Sequence, residues 1–155
     1  VNVGGAVIPL FVTLDLVVRG RVSRPKTLAA IAAVTLVAYM IATPVPGTGI
    51  TMPFYVAPLA GAAAGLILAG GCHAAPGLAY AGGAMGTLIG ADILNLANPA
   101  VFAALTGGKA AVLSIGGAGI FDGIFVTGIF AVLLAAYAGR QLRKSAGVCP
   151  REGRE

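Results

Sequence analysis

The sequence predicts an all-α fold, a polytopic helical membrane protein with about five transmembrane helices and glycine-rich close packing. Three observations predict it. First, of 155 residues, 58% are hydrophobic and 10% charged, and mean hydropathy is +0.96. A soluble domain carries roughly a quarter charged residues, so this chain is too poor in charge to cover a water-facing surface. Second, its apolar runs reach the roughly 17–25 residues of a spanning helix, well beyond the roughly 10 of a barrel strand. Third, small residues recur at helical spacing, as Gly61-x-x-x-Gly65 and as Gly82, Gly86 and Gly90. Such stripes let helix backbones approach closely in lipid.

The elements follow in chain order, within one transmembrane domain over 1–138. Residues 1–18 are the first span, where Gly4, Gly5 and Pro9 are tolerable because neighbouring helices re-satisfy a freed carbonyl. Asp15 near its end is read as an interfacial residue paired with Arg19 or Arg21, the alternative being a third intramembrane acid. A tight basic loop, 19–26, leads to the second span, 27–43. Pro44 to Pro53 (PVPGTGITMP) holds three prolines and two glycines in ten residues and is excluded from regular helix. It reads as a loop, or as a segment folding back to line a vestibule. The third span is 54–71. A short turn over Cys72 to Ala75 precedes Pro76, which suits a first helical position. The fourth span is 76–97. Asn98 to Leu113, with Pro99, Gly107, Gly108 and Lys109, reads as a loop. The fifth span is 114–138. Residues 139–155 form a basic cytoplasmic tail, expected to be partly disordered. The chain opens at Val1 without Met and without a charged leader, and is expected to be preceded by further helices.

The net charge of +5 does not point to nucleic acid, because no basic face with interleaved aromatics exists. The charges flank spans instead. Four Lys/Arg lie in 19–26 and five in 139–155, against Lys109 alone on the opposite side. By the positive-inside rule, the first residues are then outside and the C-terminus cytoplasmic, in a multi-pass protein of the plasma membrane. Cys72 and Cys149 are too few and too far apart for a disulfide framework. Cys72-His73 lacks the two further ligands a metal site needs. No cofactor and no metal is expected. The partners are the lipid bilayer and a small ion or proton, with a homo-oligomer left open.

Two acids stand inside apolar spans, Asp92 in Gly82–Asn95 and Asp122 in Ser114–Gly128. From the predicted span ends, Asp92 lies roughly 8 Å and Asp122 roughly 12 Å inside the same membrane face, at about 1.5 Å per residue. They would then share a level on antiparallel neighbours. A carboxylate at that depth costs about 2.5–3.5 kcal/mol. Two facing ones repel when both ionise, so the pair is expected to share a proton. Such pairs suit proton transfer, cation coordination and water activation. Asp92 and Asn95 fall on one helix face, three residues apart. The candidate proton or cation site is Asp92, Asn95, Asp122, Ser114 and Thr127. The competing reading is that each Asp caps a broken helix, for instance around Gly116-Gly117-Ala118-Gly119. Gly117-x-Gly119 is not a nucleotide loop, because no strand precedes it.

Four stretches carry a resemblance: Val1 to Leu10 (VNVGGAVIPL), Pro44 to Gly47 (PVPG), Gly90 to Leu96 (GADILNL) and Gly116 to Phe125 (GGAGIFDGIF). Together they resemble the prokaryotic membrane family catalogued as domain of unknown function 1614, over nearly the whole chain. The resemblance implies a polytopic helical membrane protein with an additional N-terminal segment, and no established activity. A weaker similarity is to presenilin-like intramembrane aspartyl proteases, which carry one Asp on each of two adjacent helices, the second in Gly-x-Gly-Asp. Here Ile120-Phe121 separates Gly119 from Asp122, no Tyr precedes Asp92, and Ala57-Pro58-Leu59 stands where the family has Pro-Ala-Leu.

Three functions are therefore in competition. The leading one is proton- or cation-coupled transport at the paired carboxylates. The second is an intramembrane aspartyl protease, with Asp92 and Asp122 as its catalytic candidates, one acting as base on water and the other as acid. The third is a non-catalytic membrane scaffold subunit.

Overall fold

The computed structural model describes residues 1–45, 49–70, 73–106, 115–116 and 123–146. It is helical apart from one small hairpin. A π-helical stretch, Val3–Val7, runs into α1 (Ile8–Val18). There follow α2 (Arg24–Ile41), β1 (Thr43–Val45), β2 (Gly49–Thr51), α3 (Val56–Ala69) and α4 (Ala75–Thr87). α4 continues without a break into a second π-helical stretch, Leu88–Ile93, and then α5 (Leu94–Ala97). α6 (Pro99–Thr106) and α7 (Gly123–Ala146) complete the described chain.

α4 is the hub, packed against α1, α2, α3 and α7. All ten residues from Leu78 to Thr87 are buried. The contacts follow from glycine. A Cβ at Gly61 would lie 2.8 Å from the Gly83 Cα, and one at Gly65 would lie 2.6 Å from the Ala75 carbonyl oxygen. The α3 motif therefore sets the α3–α4 crossing. The second stripe faces α2: Gly82 meets Ala30, Gly86 meets Val34, and Gly90 meets Thr35 and Ala38. A third contact seats Gly128 of α7 against the ring of Tyr80.

The distribution of side chains is that of a membrane protein. Alanine dominates the buried set, while Phe11, Leu28, Leu36, Met40, Ile67 and Leu133 point outward and are exposed. In water, that arrangement would waste the hydrophobic effect. In lipid, helices associate through small residues and leave their large apolar side chains to the acyl chains. Among the described residues three helices are long and apolar enough to cross a membrane: Arg24–Ile41, Ala75–Ala97 and Gly123–Leu142. Val3–Val18 and Val56–Ala69 are apolar but shorter.

Several expectations are corrected. α2 begins at Arg24, inside the predicted basic loop, because Pro25 starts a helix well and Thr27 bonds back to the Ser23 carbonyl at 3.0 Å. Lys26 then reaches the Ala69 carbonyl at the end of α3, 2.9 Å away. The segment after α2 is an antiparallel hairpin, with Thr43 opposite Thr51 and their hydroxyls bonded reciprocally to each other's carbonyls. Part of the predicted loop after the fourth span is α6. Asn98 Oδ1 accepts from the Ala100 amide at 3.1 Å, an N-cap with Pro99 in first position. Ile115–Gly116 is a turn, so helix does not run unbroken from residue 114, and α7 is described from Gly123. Asp15 pairs with Arg19 at 2.6 Å on the exposed surface, one of the two pairings expected of it. Hydrogen bonding and then the charge of Asp15 raise the already high pKa of Arg19.

Candidate functional site

The site is built on the π-helical stretch of the central helix. In Leu88–Ile93 the turns widen, and the Leu94 amide reaches the Ile89 carbonyl five residues back. A π-bulge frees backbone carbonyls and swings side chains out of α register, and such bulges concentrate at functional sites. Here the Asn95 side-chain amide donates to the carbonyls of Gly90, at 3.1 Å, and Ala91, at 3.0 Å. Asn95 is only 4% exposed. Its amide nitrogen bridges two carbonyls of the bulge.

Asp92 is the fifth of the six residues of that bulge and is half-buried. Its Oδ2 accepts from the Gly116 amide at 2.6 Å, a contact across 24 residues of sequence. Gly116 has φ +88° and is pressed against the N-terminal stretch, since a Cβ there would lie 3.0 Å from both Ala6 Cβ and Ala6 N. The neighbouring Ile115 carbonyl accepts from the Asn2 amide at 2.8 Å, and Asn2 Oδ1 caps Gly4 at 2.8 Å. One turn thus connects both π-helical stretches and holds the carboxylate. A short bond from a backbone N–H to an ionised oxygen is among the stronger hydrogen bonds.

Asp92 also lines a pocket of about 430 Å³. Its floor is Thr87, Ala91 and Asp92 of the central helix, and one wall is Gly123, Ile124, Thr127 and Phe130 of α7. Pro58 and Leu59 of α3 form the opposite wall, with Ile50 and Met52 of the hairpin segment above. Phe54 and Tyr55, in an edge-to-face contact with ring centres 5.6 Å apart, complete the rim. The segment after α2 does fold back to line a cavity. α3 and α7 also meet α4 in the alanine cluster of Ala62, Ala79, Ala131 and Ala135. The hydroxyl of Thr87 is committed to the Gly83 carbonyl at 2.6 Å. Thr127 is buried, and its methyl faces Gly83.

Of the expected site residues, Asp92 and Thr127 come together in the pocket. Asn95 is buried and is not among the residues that line it. Asp122 and Ser114 lie outside the described residues, as do Lys109, Cys72 and Cys149. Asp122 is the chain neighbour of Gly123, which lines the pocket. His73 is described and exposed. Gly116, whose amide holds Asp92, stands in the stretch that the competing reading gave for an Asp bonded to a broken helix, and sequence reasoning missed Thr87. The paired glycines at 116–117 were the available signal, since a backbone donor presented from a turn leaves no side-chain signature.

No curated protein and no solved structure matches the chain. The presenilin-like resemblance finds no support in these comparisons. A family match covers residues 1–134, and the chain belongs to the family described as "Protein of unknown function (DUF1614)".

Proposed function

We propose that the protein is a proton- or cation-coupled membrane transporter, and that Asp92 carries the coupling ion. One observation supports this above the others. The carboxylate sits in a π-helical turn of the central helix and lines a pocket, with one oxygen held by a backbone N–H. Such π-turns concentrate at functional sites, because they take side chains and carbonyls out of α register. Asp122, the chain neighbour of Gly123, is the second acid of the reading, with Asn95, Ser114 and Thr127 as its candidate oxygen ligands. The test is flux in proteoliposomes. Wild type is expected to move protons or alkali cations down a gradient, and Asp92→Asn to fall to the level of empty liposomes. Asp122→Asn should do the same. Flux unchanged in both variants removes transport and favours a scaffold.

The proposal includes a five-span arrangement in the plasma membrane, with the hairpin and pocket outward and the tail from Arg140 cytoplasmic. Two of the five helices, Val3–Val18 and Val56–Ala69, are short for a full span and would need local thinning of the bilayer. Its support is the charge asymmetry, because moving a Lys or Arg outward against the membrane potential costs a further ~2.3 kcal/mol per 100 mV. In a variant without Cys72 and Cys149, a cysteine replacing Lys109 should label from outside intact cells. One replacing Ser23 should not. The reverse pattern inverts the topology and puts the pocket on the cytoplasmic side.

A further inference from the structure

We infer that the pocket binds a neutral lipid from the surrounding bilayer, an apolar chain whose head is an oxygen acceptor of the acyl-ester kind, held by a hydrogen bond from the Thr127 hydroxyl. The inference goes beyond the transport reading and does not depend on it.

The polar groups of the pocket select the head. Asp92 is already engaged: its Oδ2 accepts from the Gly116 amide, and it takes part in a further interaction. It therefore does not call for a cation. No Lys, Arg or His stands among the lining residues, so an anionic head would find no counter-charge. A threonine in a helix commonly commits its hydroxyl to the carbonyl three or four residues back, as Thr87 does with Gly83. Thr127 does not. It lines the pocket, is 6% exposed, and turns its methyl to Gly83. Its hydroxyl makes no hydrogen bond with the described residues. An O–H enclosed by apolar groups costs free energy until it finds an acceptor. An ester oxygen supplies one and brings no donor that would itself need a partner.

The walls select the rest. The volume of about 430 Å³ falls in the range of small-molecule sites, roughly 300–1,000 Å³. Apart from Asp92 and the two threonines, the lining is glycine, apolar or aromatic. Phe54 is 87% exposed, Leu59 54% and Phe130 53%. In a bilayer such side chains meet acyl chains, so the lining is continuous with the lipid-facing surface. A molecule already dissolved in lipid reaches the pocket without crossing water.

The test uses the full chain in lipid nanodiscs and a photoreactive probe, methyl dodecanoate with a diazirine in its chain. Labelled peptides are identified by mass spectrometry. The probe is expected to label residues 54–59 and 126–134, and unlabelled methyl dodecanoate to compete it off. Tetradecane, of the same length without an oxygen, should compete about two- to tenfold less well, the range for one neutral hydrogen bond. Thr127→Val keeps the shape, removes the hydroxyl and should erase that difference, whereas Thr127→Ser should retain it. Phe130→Ala at the exposed rim should weaken both competitors alike. Where Thr127→Val does not fold, the wild-type comparison of the two competitors and Phe130→Ala decide. Labelling confined to other segments, or labelling that methyl dodecanoate does not compete, overturns the inference. Tetradecane competing as well as the ester in wild type overturns it too, as does an ester preference that survives Thr127→Val, or Phe130→Ala without effect on either competitor. None of these readouts uses ion flux, so loss of transport and loss of the lipid site are separate results.

Discussion

Gly65→Val is expected to abolish the folded protein. Detergent-solubilised variant should elute as aggregate in size-exclusion chromatography where wild type elutes as one peak. The cause is the crossing of α3 and α4. A Cβ at Gly65 would lie 2.6 Å from the Ala75 carbonyl oxygen and 2.7 Å from both the amide nitrogen and the Cβ of Ala79. Two of these atoms are backbone, so no rotamer change relieves the clash. One turn away, Gly61 is pressed against the Gly83 Cα, so the helices cannot slide to make room. Overpacking by a methylene in an adaptable core costs about 1–3 kcal/mol. Three heavy atoms against backbone should exceed that, out of a total stability of about 5–15 kcal/mol. Gly139→Ala on α7 is the control. Its nearest neighbour would be Leu66 Cδ2 at 3.8 Å, an ordinary contact, and alanine adds helix propensity of up to about 1 kcal/mol. A well-behaved Gly65→Val with the midpoint of wild type would mean that the helices do not cross this closely.

Gly116→Ala is expected to damage the site more than the fold. Gly116 combines φ +88° with contacts of 3.0 Å from a Cβ to Ala6. A left-handed residue with a side chain costs about 1–2 kcal/mol before the clash is counted. The turn can relieve both by moving, and in moving it withdraws the amide that Asp92 accepts at 2.6 Å. The α2–α3–α4–α7 core does not depend on that turn. The variant should therefore purify as a single peak and lose about 2 kcal/mol of stability or less. Its flux in proteoliposomes should fall toward that of Asp92→Asn. Wild-type flux together with a wild-type thermal midpoint would show that the bond does not position the carboxylate.

The sequence by itself determined the class and the packing code. Both are local or cumulative properties. Charge poverty and apolar run length place the helices, and small residues every four positions name the faces that touch. Gly61 and Gly65, and Gly82, Gly86 and Gly90, all appear at helix crossings for that reason. The pairing of Asp15 with Arg19 was legible because it spans one helical turn. Tertiary structure decided the rest. An α and a π turn have the same composition, so the bulge at Leu88–Ile93 emerges only with Asn95 bonded to its carbonyls. The helix at Pro99–Thr106 hid behind an Asn-Pro step that reads equally as a breaker or as a cap and first turn. The pocket is lined jointly by α3, α7, the central helix and the hairpin segment, which lie far apart in the sequence. The bond from Gly116 to Asp92 joins residues 24 apart through a main-chain amide, and every non-proline residue carries one of those. No periodicity can announce which amide a fold will aim at a carboxylate.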